Sequence, residues 1–111
     1  MTGQQMRKLA LALPGVEERS HFGHPDFRVK GKIFGGLTQD ETTANLKLTP
    51  DLQDAIVSAE PETFAPAAGA WGRGGWTTIR LAGTTSQKVR PLLVEAHTLV
   101  STRKTRAKRT R

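Results

Sequence analysis

Between residues 26 and 48 the chain presents three strand-like runs, two of them alternating in polarity, and the connections between the runs are too short for anything but antiparallel pairing. In residues 26–30, Phe27 and Val29 alternate with Arg28 and Lys30, the period-2 pattern of a half-buried strand. Gly31 and Lys32 make a short turn. Residues 33–38 form the next strand, with Gly35 and Gly36 marking a bulge or a close backbone approach. Residues 39–42 are polar and turn-like. Residues 43–48 alternate again, with Ala44, Leu46 and Leu48 on one side and Asn45 and Lys47 on the other. A parallel crossover needs a dozen or more residues, so the three strands are expected to form an antiparallel meander.

Helical periodicity flanks the meander. Met6, Leu9, Ala10 and Leu13 follow the spacing of one buried stripe, which predicts a helix over residues 2–13. Thr2 and Gln5 suit a capping box, and Pro14 with Gly15 ends the helix. Thr49, Pro50 and Asp51 open a second helix as N-cap, first-turn proline and dipole partner. Leu52, Ile56 and Ala59 are its buried stripe, and it stops before Pro61. Residues 61–75 read as a loop with room for one short strand near 67–71. Residues 76–81 are a further strand. Thr84 with Gln87 would cap a last helix reaching about residue 100, in which Val89, Leu92, Leu93, Ala96, Leu99 and Val100 keep the 3.6 period and Pro91 is a misfit. The order is α-β-β-β-α-β(-β)-α. It predicts a two-layer α+β domain with a mainly antiparallel sheet and helices on one face, and it argues against a doubly wound dinucleotide fold.

Length and composition narrow the function classes. A chain of 111 residues supports one core, not a multidomain enzyme. Apolar residues make up 36% with 11 glycines besides, the ordinary range of a globular domain. No apolar run approaches the roughly 20 residues that span a bilayer, and the first 15 residues do not resemble a signal peptide. There is no cysteine, so disulfides and thiolate chemistry are excluded. A cytoplasmic monomer is the expectation. The net charge of +7 divides unevenly, because residues 103–111 carry six cations (Arg103, Lys104, Arg106, Lys108, Arg109, Arg111) and no acid. The expected division is a domain over residues 1–102, nearly neutral, and a disordered basic tail over 103–111.

The polar parity of the strands is the main chemical signal. Arg28, Lys30, Asn45, Lys47, Thr78 and Arg80 fall opposite the apolar positions, and Trp76 shares their side. An antiparallel sheet can leave one face wet. Such a face would carry four cations and an indole: phosphate attraction plus a platform for stacking a base. Lys32, Arg73, Lys88 and Arg90 would extend it, since residues 63–94 contain no acid. The alternative is an ordinary solvated face with Trp76 packed on the 61–75 loop. His21, His24 and Asp26 form an H-x-x-H-x-D run whose spacing matches no zinc pattern, so it is read as a polar loop leading into a strand, with no metal and no cofactor. His97 reads as a half-buried helix histidine. Gly72, Arg73, Gly74 and Gly75 lack the order of a phosphate loop and are read as a flexible turn. No Ser sits in a nucleophile setting, and no catalytic residue is assigned.

The run Phe27-Arg28-Val29-Lys30-Gly31-Lys32-Ile33-Phe34 resembles the strand–turn–strand of the MmcQ/YjbR family. Leu13-Pro14-Gly15-Val16-Glu17 resembles that family's helix end, Leu46-Lys47-Leu48 its third strand, and Trp76-Thr77-Thr78-Ile79-Arg80-Leu81 a later one. The resemblance runs from about residue 6 to 100. It implies a compact α+β domain similar to secretion-chaperone-like folds, and a DNA-binding role through a "double-wing" arrangement of strands and turns. Arg28, Lys30, Lys32, Lys47 and Trp76 are the positions that match; the His21–His24 pair and the basic tail are not parts of the pattern. The expectation is therefore a small cytoplasmic DNA-binding protein without strong sequence preference, and not an enzyme. It would contact phosphates through Arg28, Lys30, Lys32, Lys47, Arg73, Trp76, Arg80 and the tail cations. The alternatives are a module for a protein or small anionic ligand, with an exposed apolar patch near Trp71 and Phe64, or an enzyme with a pocket near His24 and Asp26.

Overall fold

The computed structural model describes residues 1–109, and side chains as far as Ser101. The first helix, α1 (Gly3–Leu11), opens on the expected capping box: Thr2 Oγ1 accepts from the Gln5 amide at 3.1 Å, and Gln5 Oε1 accepts from the Thr2 amide at 2.9 Å. Met6 and Ala10 are its buried residues besides Gly3. It ends two residues before Leu13, which packs half-buried against the core.

Six strands form one sheet: β1 (Val16–His21), β2 (His24–Val29), β3 (Lys32–Leu37), β4 (Thr43–Lys47), β5 (Phe64–Pro66) and β6 (Trp76–Arg80). Their spatial order is β1-β2-β3-β4-β6-β5, with every neighbour antiparallel. β1 occupies what the sequence presents as a polar approach. Its residues are exposed except for half-buried Val16, so an edge strand with little to bury shows no apolar alternation. Two-residue turns join the first three strands. Phe22 and Gly23 (φ 52° and 79°) and Lys30 and Gly31 (φ 54° and 78°) all lie in the left-handed region, the geometry of tight hairpin turns that match strand twist. Lys30 is thus a turn residue and not the end of a strand.

The bulge expected near Gly35 is present. Phe27 faces Gly35 and Arg28 faces Ile33, leaving Phe34 as the extra residue. Phe34 is fully buried, with its ring edge-on to His97 at 5.6 Å. Phe27, Val29, Ala44, Leu46 and Ile79 complete the apolar face, covered by α1 and by α4 (Ser86–Arg109). In α4, Val89, Leu92, Leu93, Ala96 and Val100 are buried as the periodicity predicts. The helix passes through Pro91 and starts after a short 3-10 turn at Leu81–Gly83. Thr85, not Thr84, accepts the Lys88 amide, at 3.3 Å. α4 continues past residue 100. The side chains of 102–109, and residues 110 and 111 entirely, lie outside the described residues, and so does the reading of 103–111 as a separate disordered tail.

Two regions differ from expectation. In α2 (Pro50–Ala59), Thr49 caps as predicted, accepting from Leu52 at 3.2 Å. The buried residue, however, is Gln53, while Ala59 is exposed. Gln53 Nε2 donates to the Trp76 carbonyl at 2.9 Å and to Thr77 Oγ1 at 3.2 Å, so a polar side chain takes the inward position by satisfying the sheet end. Residues 67–71 are not a strand. The short strand lies earlier, where Phe64 is buried, and α3 (Gly69–Arg73) follows. The glycines there are not slack. A Cβ on Gly72 would stand 1.9 Å from the Ala67 carbonyl oxygen, and one on Gly75 equally close to that of Leu48.

Candidate nucleic-acid interface

The uncovered face of the sheet is hollow in the middle and built up at both ends. Across the centre, Asp26, Gly36 and Asn45 stand in register on β2, β3 and β4. Glycine contributes no side chain and asparagine a short one. At one end rise His21, Phe22, His24 and Arg28 of the first hairpin; at the other, Trp76 on β6 and Trp71 on α3. The cleft between them has a volume of about 770 Å³, and Ile33 and Lys32 also line it. Trp71 and Trp76 meet edge to face, with ring centroids 6.3 Å apart. Trp71 is 70% exposed, so most of its indole is accessible to a partner. Its helix is fixed by the Gly72 approach to Ala67, by the Gly74 amide on the Ala70 carbonyl at 3.1 Å, and by Lys47 donating to the Gly74 carbonyl.

The opposite end is an ionic cluster on a buried carboxylate. Asp26 is 1% exposed. Arg28 grips it with two bonds, Nε to Oδ1 at 2.7 Å and Nη2 to Oδ2 at 3.1 Å, and His21 Nδ1 lies 2.8 Å from Oδ2. The Arg28 guanidinium, and then His21, hold the Asp26 carboxyl below the usual carboxylate range, against the opposing effect of burial. An ionised carboxylate only accepts, so His21 carries its proton on Nδ1 and keeps Nε2 for another partner. The ring of His24 lies 6.2 Å from that of His21. Among the described residues no three His, Asp or Glu side chains are grouped so as to hold a metal ion.

The YjbR family model matches residues 11–99, from the end of α1 through all six strands into α4. The chain belongs to the YjbR family. Among solved structures it is similar to the crystal structure of protein DR2400 of Deinococcus radiodurans, a DUF419 domain, with a TM-score of 0.79 and 25% identity. That likeness covers 90% of this chain and 78% of that one. No curated protein matches it. The resemblance read from the 27–34 run is thereby established, as is the α+β fold.

This YjbR domain distributes the expected interface residues unevenly. Arg28, Lys32 and Trp76 line the cleft. Arg73 is exposed on α3 beside it, and Lys30 projects from its hairpin turn. Lys47 spends a bond on Gly74 and supports the Trp71 helix. Arg80 lies at the far end of β6, its Nε 3.4 Å from the Glu62 carbonyl oxygen. Lys88 and Arg90 do not extend the face as expected: they belong to α4, on the covered side, and Lys88 pairs with Glu60 at 2.6 Å. The side chains of Arg103, Lys104, Arg106, Lys108, Arg109 and Arg111 lie outside the described residues. Phe64 is buried, so no patch joins it to Trp71. Sequence reasoning missed His21, Phe22, Asp26 and Trp71 as one site. The H-x-x-H-x-D run was the visible signal, but only the unforeseen β1–β2 hairpin folds its first histidine onto its aspartate.

Proposed function

We propose that this YjbR-family protein is a cytoplasmic nucleic-acid-binding domain, monomeric and without catalytic activity, that contacts DNA through the open face of its sheet. The observation that carries this reading is the cleft: both indoles line it together with Arg28 and Lys32, with Arg73 and Lys30 on the surface around them. Cations at this spacing attract phosphates whatever the sequence, and aromatic side chains stack on bases. The two tight hairpins correspond to the wings that the family resemblance implies. A second reading, a small anionic ligand, is favoured by the cleft's volume, which falls within the range of ligand pockets.

The test is a titration of DNA by fluorescence anisotropy at several salt concentrations. It compares the intact chain, the double variant Lys32→Glu/Arg73→Glu, and a chain shortened after Thr102. The double variant should bind several-fold more weakly and with a shallower salt slope, by about one for each phosphate that it no longer neutralises. Binding that survives in the double variant but disappears with residues 103–111 would reject the sheet face as the interface.

A further inference from the structure

The cleft has a division of labour that a sheet face merely attracting phosphates does not need. One end offers a largely exposed indole set nearly perpendicular against a second indole. The other offers a guanidinium whose plane is fixed by two bonds to a buried carboxylate. Those bonds use Nε and Nη2, and Nη1 has no hydrogen-bond partner among the described residues. His21, held by the same carboxylate through Nδ1, presents Nε2. A guanidinium fixed in this way is suited to an oxyanion rather than to diffuse charge. The floor between the two ends is Gly36 and Asn45, low enough to leave the hollow open and able to supply an amide.

We propose that the cleft binds an unstacked nucleotide, its base against Trp71 and Trp76 and its phosphate on Arg28 and His21. The proposal rests on the nucleic-acid reading and deepens it: the ligand is a single strand with its bases turned out, or a free nucleoside phosphate, and not a closed duplex. In a duplex each base is already stacked on both faces, so an exposed indole in a hollow has nothing to meet. An unpaired base offers its π-face to any aromatic, independent of sequence. Arg28 therefore reads the phosphate, Trp71 reads the absence of stacking, and neither reads base identity.

The chain contains two tryptophans and no tyrosine, and both tryptophans line the cleft. Intrinsic fluorescence consequently reports on this site alone. Titrate the full chain at physiological ionic strength with a short oligothymidylate, with thymidine 5′-monophosphate, and with a short blunt duplex. Quenching by the oligothymidylate is expected, at least tenfold tighter than any quenching by the duplex. Because Trp71→Ala leaves Trp76 as a reporter, the same titration shows whether binding weakens by tenfold or more, and Trp71→Phe should restore most of it. Arg28→Lys keeps the charge but loses the fork, and should weaken binding several-fold. Should the monophosphate bind as tightly as the oligothymidylate, with the same response to Trp71→Ala, the nucleotide site stands and the nucleic-acid reading falls. Duplex and single strand bound equally, with Trp71→Ala without effect, would overturn the nucleotide site and leave the nucleic-acid reading intact. Binding of none of the three probes would overturn both.

Discussion

Each face of the sheet is organised around one arginine, and the two are used differently. On the covered side Arg7 reaches from α1 to Glu18 on β1 and to Glu41 in the turn after β3, each at 2.8 Å. These partners raise the Arg7 guanidinium above its ordinary pKa, Glu41 contributing most. They lie 11 and 34 residues away in sequence, so the contacts join a helix, a strand and a loop. On the open side Arg28 takes its carboxylate from its own strand, two residues back. That bond closes no loop and docks no element. A cation bound to remote partners fastens a fold, whereas one bound to its strand neighbour is held in an orientation. The covered face is therefore the part of the molecule that stores stability, and the open face is the part that presents groups.

The sharpest way to break this division is to truncate neighbours that point to opposite faces. Phe27 and Asp26 are adjacent on β2 and equally buried. Phe27→Ala removes a ring from the close-packed side and should cost about 3–5 kcal/mol by urea denaturation. If the loss were no larger than that of any open-face variant, the two faces would not differ as described.

Asp26→Asn comes next, at about 1–3 kcal/mol, because it weakens a buried acceptor that serves two donors. Its pH dependence has a definite sign. The carboxyl is held below its unfolded value, so its contribution is fully present above about pH 4 and is lost as pH falls through the lowered native value. The stability difference between the protein and Asp26→Asn should therefore be constant near neutrality and shrink in acid. A difference that persisted unchanged to about pH 2 would mean that the charge of Asp26 plays no part.

A smaller and strictly local effect is expected at the turn between β2 and β3. Gly31 has φ 78°, and an added Cβ would meet nothing within 4 Å. Gly31→Ala therefore isolates backbone strain, and should cost about 1–2 kcal/mol in the same denaturation experiment. A larger loss would mean that the hairpin's position, and not only its turn, is under load.

The same division explains what the sequence makes legible. The covered face is written in alternation and 3.6-residue periodicity, because nearly all of its buried residues are apolar and fill the space under α1 and α4, with Thr77, bonded to Gln53 and to the Gly75 carbonyl, as a polar exception. Met6, Phe27, Leu46, Ile79 and Val89 can all be placed from their spacing alone. The open face is held by specific pairings that leave no periodic trace. β1 buries almost nothing, so its strand character is invisible in the sequence, and with it the contact of His21 with Asp26. Gln53 and Gly72 turn inward for polar satisfaction and for close backbone approach, neither of which has a spacing rule. Arg28 and Trp76 are visible as polar-parity residues because their strands also carry buried positions. Trp71 is not, because α3 is too short to show a period.

Phe22 gives the comparison its smallest and most discriminating test. Its side chain is 93% exposed at the tip of the first hairpin, and its φ of 52° is one that asparagine and glycine adopt more readily than phenylalanine. Nothing in the fold requires an aromatic there; its one ring neighbour is His21, edge-on at 6.0 Å. Phe22→Asn should leave stability unchanged or raise it by about 0.5 kcal/mol, since it keeps the turn and relieves strain at a left-handed position. A thermal melt is sufficient to see it. A loss of about 1 kcal/mol or more would show that the open face also carries load, through this ring, and the separation of a storing face from a presenting face would fail. A neutral or stabilising result leaves Phe22 as a side chain kept out of the core at a position the backbone does not favour, and the surface it extends is the wall of the cleft.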